Sequence, residues 1–293
     1  MNRSFFQQKR DRNETAARAL LFMSALVCCL LVVLILGFMV VTGLPLFGQN
    51  QAMDLLTGAW SPHNGGYGIA PMIFGTLWIS FLSVVISFPM SLGCAAYICV
   101  LGPHGKATVM KRCVQMMTGI PTIIYGFVGV FLLVPLIRNT AGTGSGMCIL
   151  SASLVLAVLI APTMILFFIQ SFDRVPRSWL DAVDALGGSR VQKLVYVVLP
   201  ACVKGIVTGT VLSFGRALGD TLVALMIAGN AIQKPDSLLD SARTLTAHIA
   251  LVSAADFESM EFKSIFLCGA VLYLITALVI LGARLIERRG THE

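Results

Sequence analysis

The sequence predicts an all-α integral membrane protein with six transmembrane helices in one domain. Two observations indicate this fold class, namely long apolar runs and a low charge content. Of 293 residues, 57% are hydrophobic and 12% are charged, and the mean hydropathy is +0.86. Soluble domains carry roughly 25% charged residues. A buried soluble core would need a polar face on most of these helices, and the apolar runs lack one.

Six runs are candidates for membrane-spanning helices. A hydrocarbon core ~30 Å thick requires about 20 residues of α-helix. Five runs reach that length, and the third run is shorter but carries no charge. In chain order the runs cover residues 20–41, 73–100, 119–137, 147–171, 205–229 and 265–286.

The segments between the runs complete the predicted organisation. Residues 1–18 form a charged N-terminal arm, residues 19–289 the six-helix domain with a polar loop at 173–203, and residues 290–293 a C-terminal tail. Pro89 should kink the second helix because proline removes a backbone donor. We expect a short amphipathic helix at 107–117 on the inner surface and an interfacial helix within 237–253.

The distribution of lysine and arginine predicts the orientation. With the N-terminus inside, sixteen of these residues fall in cytoplasmic segments and four in outer loops (Arg138, Lys234, Arg243 and Lys263). Basic residues concentrate in cytoplasmic loops. Both termini and the 173–203 loop are therefore predicted to be cytoplasmic, in a multi-pass membrane protein. The net charge of +7 is explained by this topology, and nucleic-acid binding does not follow from it.

The fifth run contains the charged pair Arg216 and Asp220. Inserting such a charge at mid-membrane costs about 2.5–3.5 kcal/mol, so charges there usually face a partner or a water-filled path. On one helix, a four-residue separation would place both groups on the same face. One interpretation is a structural ion pair that holds neighbouring helices together. The other is an anion path, in which the Arg216 guanidinium binds an oxyanion, Asp220 keeps that binding weak and Thr221 adds a hydroxyl.

The polar loop carries a recognisable spacing. Asp181 and Ala182 are followed by Gly187 and by a closing Leu199-Pro200. Helices are predicted at 176–186 and 189–195, with a turn between them and Pro200 at the return into the membrane. The spacing resembles the EAA loop of permease subunits in bacterial ABC importers, with Asp181 in place of the usual Glu. The resemblance implies that these five residues couple the chain to a separate ATPase.

Three further stretches resemble phosphate ABC importer permeases of the PstC type. They are GYGIAPMIFGTLWIS, TGIPTIIYGFVGVFLLVPLI and GRALGDTLVALMIAGN, joined by RTLTAHIA. The resemblance implies the type I importer permease fold with cytoplasmic coupling helices. It also implies a PstA-type permease as heterodimer partner, two cytoplasmic ATPase subunits and a periplasmic phosphate-binding protein. Asp220 stands where the family more often has Glu.

Other functions remain open at this point. The chain could carry another oxyanion such as sulfate or molybdate, or serve as a membrane scaffold that does not transport. An enzymatic role is not expected, since no Walker motif or catalytic constellation occurs and ATP hydrolysis is assigned to a partner. The eight cysteines lack metal-ligand spacing, so neither a metal nor a cofactor is expected.

Overall fold

The computed structural model describes residues 3–49, 52–142 and 144–289, which are mostly helical. Two short antiparallel strands, β1 (Trp60–Ser61) and β2 (Gly66–Tyr67), form a hairpin. The helices, in chain order, are α1 (Arg3–Gln49), α2 (Ala52–Thr57), α3 (Ala70–Ala96), α4 (His104–Met117), α5 (Thr122–Val128), α6 (Val134–Ala141), α7 (Ile149–Phe172), α8 (Arg177–Ala185), α9 (Arg190–Lys193), α10 (Leu199–Ala201), α11 (Val203–Leu218), α12 (Leu222–Ile227), α13 (Leu245–Val252) and α14 (Met260–Arg289).

The membrane-spanning architecture agrees with the sequence. In the described residues, five helical stretches are long and apolar enough to cross a membrane, and a sixth is possible if a bent helix pair counts as one span. The five are Ala17–Gly43, Ala70–Leu101, Thr122–Ala141, Ile149–Phe172 and Met260–Leu285. The bent pair is Arg190–Ala201 with Val203–Leu218, at an angle of 71°. The prediction of an all-α membrane protein is therefore confirmed.

The prediction of one continuous helix over 205–229 is wrong. α11 ends at Leu218, and α12 begins only at Leu222. The Asp220 carboxylate accepts hydrogen bonds from the backbone N–H groups of Val223 (3.0 Å) and Ala224 (3.4 Å). These bonds satisfy amide groups that an uninterrupted helix would pair with carbonyls of the preceding turn, so a new helix starts here.

α7 is the central helix of the bundle. Most of its span is buried, whereas none of the apolar stretch of α1 is. α3 packs along α7 through a line of buried small residues, and the Ser153 hydroxyl of α7 donates to the Ile79 carbonyl of α3 (3.3 Å). Small side chains allow helix backbones to approach closely in lipid, where packing and hydrogen bonds hold helices together.

α1 lies at the periphery and packs against α14. Phe38 meets Phe266 edge-on at 5.5 Å, and Gly43 lies against the Leu267 backbone. The helix runs without interruption from Arg3, so the segment predicted as a separate arm continues the first span as helix.

Two predicted surface helices differ in outcome. The helix expected at 107–117 is observed as α4, which begins three residues earlier at His104. The helix expected within 237–253 is observed over Leu245–Val252 only, and its first turn is buried in the bundle. Its apolar spacing is explained by packing between α3, α12 and α14.

Candidate functional site

The segment between α7 and α11, here called the coupling segment, is a compact pair of short helices. α8 begins after Pro176, whose φ of −57° suits a helix start. Gly187 follows α8 in the left-handed region at φ 75°, a conformation that glycine adopts without steric cost. Ser189 then caps α9 through a capping box with Gln192. The predicted helix–turn–helix is thus observed, with α8 at 177–185.

Two contacts fix the coupling segment. Lys193 pairs with Asp184 at 2.7 Å, which ties α9 to α8. The Arg190 guanidinium donates to the Leu101 carbonyl at the end of the second span (3.1 Å). The short helices are therefore held against the bundle as a unit.

The outer face of α8 is apolar and exposed to solvent. Trp179, Ala182 and Leu186 follow one another at i, i+3 and i+7, so they share a face, and all three are exposed. Leu186 is 88% exposed. Asp181 is exposed beside this face. Sequence spacing identified Asp181 and Ala182 but missed Trp179 and Leu186, whose apolar character in a polar loop was the available signal.

Leu199 and Pro200 lie just before a sharp bend of the chain. Both lie inside α10, and the chain bends one residue after it, at Cys202. Pro200 stands in the first turn of α10, where a missing N–H is tolerated. The 71° bend between the two helices therefore lies at Cys202, two residues after Pro200.

Arg216 lies at mid-depth in the bundle. Its Nη1 donates to Thr163 Oγ1 at 3.1 Å. Thr163 is about 21 Å from the start of α7 and about 14 Å from its end, at 1.5 Å per residue. The Arg216 side chain is exposed on the isolated chain.

Arg216 and Asp220 form no close ion pair in the described residues, although their charges still interact. The ion pairs found in the described ranges do not include either residue. The reason is the break after Leu218, since the four-residue rule holds only along one helix. Asp220 instead caps α12, and its carbonyl accepts from the Thr246 hydroxyl of α13 (2.7 Å). Thr221 occupies the N-cap position of α12, half-exposed, without a side-chain capping bond.

Thr163 is a partner of Arg216 that sequence reasoning missed. It follows Pro162 in the most deeply buried span. A hydroxyl beside a proline in such an apolar helix is a usable signal, because polar groups at membrane depth find partners. Only the fold shows that its partner is Arg216, 53 positions away.

A buried polar cluster, here called the His248 cluster, closes the end of the bundle opposite the coupling segment. His248 Nδ1 lies 3.5 Å from Arg243 Nη1, and its Nε2 lies 3.3 Å from the Ser264 hydroxyl. Arg243 Nε donates to the Asn230 carbonyl (3.1 Å), and the Trp60 ring meets the imidazole edge-on at 4.4 Å. Burial, followed by the charge of Arg243, lowers the pKa of His248 to about 4.

The His248 cluster therefore joins elements far apart in sequence. It links the β-hairpin, α13, α14 and the turn at Asn230, the one non-glycine residue with positive φ in the described ranges. The sequence alone placed His248 in an outer segment with no assigned partner.

Comparison with known proteins identifies relatives along most of the chain. A family model described as "Binding-protein-dependent transport system inner membrane component" matches residues 106–291. The probable ABC transporter permease protein YqgH of Bacillus subtilis is 31% identical, covering 97% of this chain and 94% of that protein. The phosphate transport system permease protein PstC of Pasteurella multocida is 30% identical, covering 78% of each.

Solved structures support the same fold. The MetNI methionine ABC transporter in inward-facing conformations matches with a TM-score of 0.58 at 19% identity, covering 73% of this chain and 92% of that one. A bacterial alginate ABC transporter in complex with an alginate-bound periplasmic protein matches with a TM-score of 0.58 at 16% identity, covering 91% and 95%. The fold is that of type I ABC importer permeases.

Proposed function

Because the chain belongs to the binding-protein-dependent transport system inner membrane components, we propose that it forms part of the path through which inorganic phosphate enters the cell. The observation that carries this proposal is Arg216, which lies at mid-depth in the bundle, bonds to Thr163 and forms no ion pair among the described residues. A guanidinium matches the geometry of an oxyanion. Several relatives are named phosphate transport permeases, which favours phosphate over other oxyanions.

In this proposal Arg216, Asp220 and Thr221 have different tasks. Arg216 attracts the anion, and the hydrogen bond to Thr163 holds the guanidinium in place. Asp220 lies in the break between α11 and α12, and its negative charge limits how tightly the anion is held. The Thr221 hydroxyl supplies a further donor for an anion at the break. Passage requires binding weak enough for release.

The coupling segment is proposed to dock the motor. The exposed face of α8 (Trp179, Ala182 and Leu186) and the neighbouring Asp181 would lie in a groove of an ATPase subunit. The left-handed Gly187 and the α10 residues Leu199 and Pro200 would transmit its movement to α11. Two ATPase subunits, a PstA-type permease and a periplasmic phosphate-binding protein would complete the importer in the bacterial cytoplasmic membrane.

Uptake of radiolabelled phosphate, measured beside radiolabelled sulfate in cells with and without the chain, tests this proposal. Arg216→Gln should abolish phosphate uptake while the protein remains in the membrane. Arg138→Gln, which removes an exposed arginine in the last turn of α6, is the matched control and should leave uptake intact. Sulfate uptake would indicate another oxyanion, and unchanged uptake on deletion would indicate a scaffold.

A further inference from the structure

A cavity of about 370 Å³, here called the hinge cavity, lies where α7 ends and α11 begins. Its polar lining residues are Gln170, Ser171 and Arg174 at the end of α7 and Lys204 and Thr208 at the start of α11, and the rest of its wall is apolar. The cavity therefore lies beside the two points at which the coupling segment leaves and rejoins the bundle. It is separate from Arg216 and from the outer face of α8.

The hinge cavity carries positive charge without compensation. Arg174 and Lys204 line it, and no aspartate or glutamate does. In the described part of the chain, neither cation takes part in an ion pair. The nearby Asp173 is paired with Lys111 of α4 at 3.6 Å. Both side chains are exposed, so solvent screens part of their mutual repulsion, and an anion between them would remove the remainder.

Close helix packing creates this arrangement. A side-chain carbon at Gly205 would overlap the Ser171 side chain, so only glycine lets α11 approach α7 here. The Cys202 thiol at the bend donates to the Ser171 carbonyl (3.2 Å), which fixes the same approach. Arg174 and Lys204 are thereby brought to one cavity although 30 positions separate them.

We propose that the hinge cavity binds a phosphate group and that the bound anion holds the two ends of the coupling segment together. The group would come from an acidic phospholipid or from free inorganic phosphate. Both sources are chemically suitable, because Arg and Lys bind phosphate oxygens. The basic-residue distribution predicts that this end faces the cytoplasmic leaflet, whose anionic lipids attract such cations. This inference goes beyond the proposed transport role and does not depend on it.

The test uses the full chain in nanodiscs and separates the two sources. Native mass spectrometry counts retained phosphatidylglycerol in mixed-lipid discs, and equilibrium dialysis measures radiolabelled phosphate in discs of phosphatidylcholine alone. The double variant Arg174→Gln/Lys204→Gln is compared with Lys106→Gln/Arg112→Gln, which removes two cations of α4 outside the cavity. Hydrogen exchange over residues 173–205 reports whether the anion steadies the coupling segment.

We expect the cavity variant to bind its anion about 25-fold more weakly than wild type, at roughly fivefold for each cation removed. Weaker retention of phosphatidylglycerol identifies phospholipid as the source, and weaker binding of radiolabelled phosphate identifies inorganic phosphate. The protection of residues 173–205 from hydrogen exchange should be lost together with the anion. Equal binding by both double variants and wild type would overturn the proposal, as would an equal loss in both variants. If the double variant fails to fold, the same measurements are made on the two single variants. Uptake is not measured, so failure here leaves the transport proposal intact.

Discussion

At the scale of single residues, the mid-membrane arginine depends on a neighbour that its own helix does not supply. Arg216 is the last-turn residue of α11, and its hydrogen bond goes across to Thr163 of α7. A long side chain with this much rotational freedom gains a defined direction only from such a bond. The position of the guanidinium is thus set by two helices together.

We predict that Thr163→Val lowers phosphate uptake roughly tenfold while the protein level in the membrane is unchanged. Valine keeps the shape of threonine but removes the acceptor, and hydrogen bonds to charged groups contribute about 1.5–3 kcal/mol. Thr163→Ser should restore uptake because it restores the hydroxyl. Thr210→Val is the control, since that hydroxyl bonds only to the Ile206 carbonyl of its own helix. Full uptake by Thr163→Val would exclude the positioning role.

The buried His248 predicts a pH dependence of stability. Its folded-state pKa of about 4 lies below the ~6.5 of an exposed histidine. Between these values the unfolded chain binds a proton that the folded chain does not, so stability falls as pH falls through this window. The full contribution is about 3 kcal/mol at 1.36 kcal/mol per unit.

Thermal unfolding in detergent between pH 6.5 and 5 checks this prediction. The wild-type midpoint should fall with pH, and His248→Gln should start lower and show a weaker dependence. His104→Gln, at the exposed start of α4, should follow wild type. A dependence that is the same in all three proteins would assign it to other groups.

At the scale of elements, α8 presents an exposed apolar surface suited to contact with a partner protein. Leu180 packs against the core of the bundle and Val183 lies against Gly188, whereas the Trp179–Leu186 face is exposed. Exposed apolar residues at helical spacing are unfavourable in water unless another protein covers them. The capping box and the Lys193–Asp184 pair hold this face in a fixed position.

We predict that Leu186→Glu abolishes uptake and co-purification of the ATPase without changing the thermal stability of the chain. A central apolar anchor of an interface contributes about 2 kcal/mol or more, which corresponds to roughly 30-fold weaker binding. Stability should be unaffected because the side chain is 88% exposed. Leu186→Met keeps the apolar contact and should behave as wild type. Retention of the ATPase by Leu186→Glu would place the docking surface elsewhere.

At the scale of the whole molecule, the orientation in the membrane is the testable property. The 16-to-4 distribution of lysine and arginine predicts cytoplasmic termini. A green fluorescent protein fused to the C-terminus should therefore fluoresce, and alkaline phosphatase fused there should be inactive. The same reporters fused after residue 142 should give the reverse result. Active phosphatase at the C-terminus would mean that the topology is the reverse of the predicted one. The proposed contact with the ATPase would then be excluded.

Hydropathy and charge were sufficient for the membrane class, the span positions and the location of the coupling segment. These properties depend on runs of residues along the chain, since a span needs length and apolarity, and a turn needs Gly187 or a cap such as Ser189. They failed at 205–229, where apolar content continues across the break. A window average does not register that Asp220 accepts the amide groups of the next turn.

The sequence by itself thus determined that this is a permease-like membrane protein of five or six spans with a polar loop between α7 and α11. The tertiary structure decided what the polar residues do within that frame. Asp220 caps α12 because α13 holds the break in place, Arg216 bonds to Thr163 because α7 lies beside α11, and His248 is buried because the hairpin covers it. Each of these relations joins residues distant in sequence, and packing alone determines such distances.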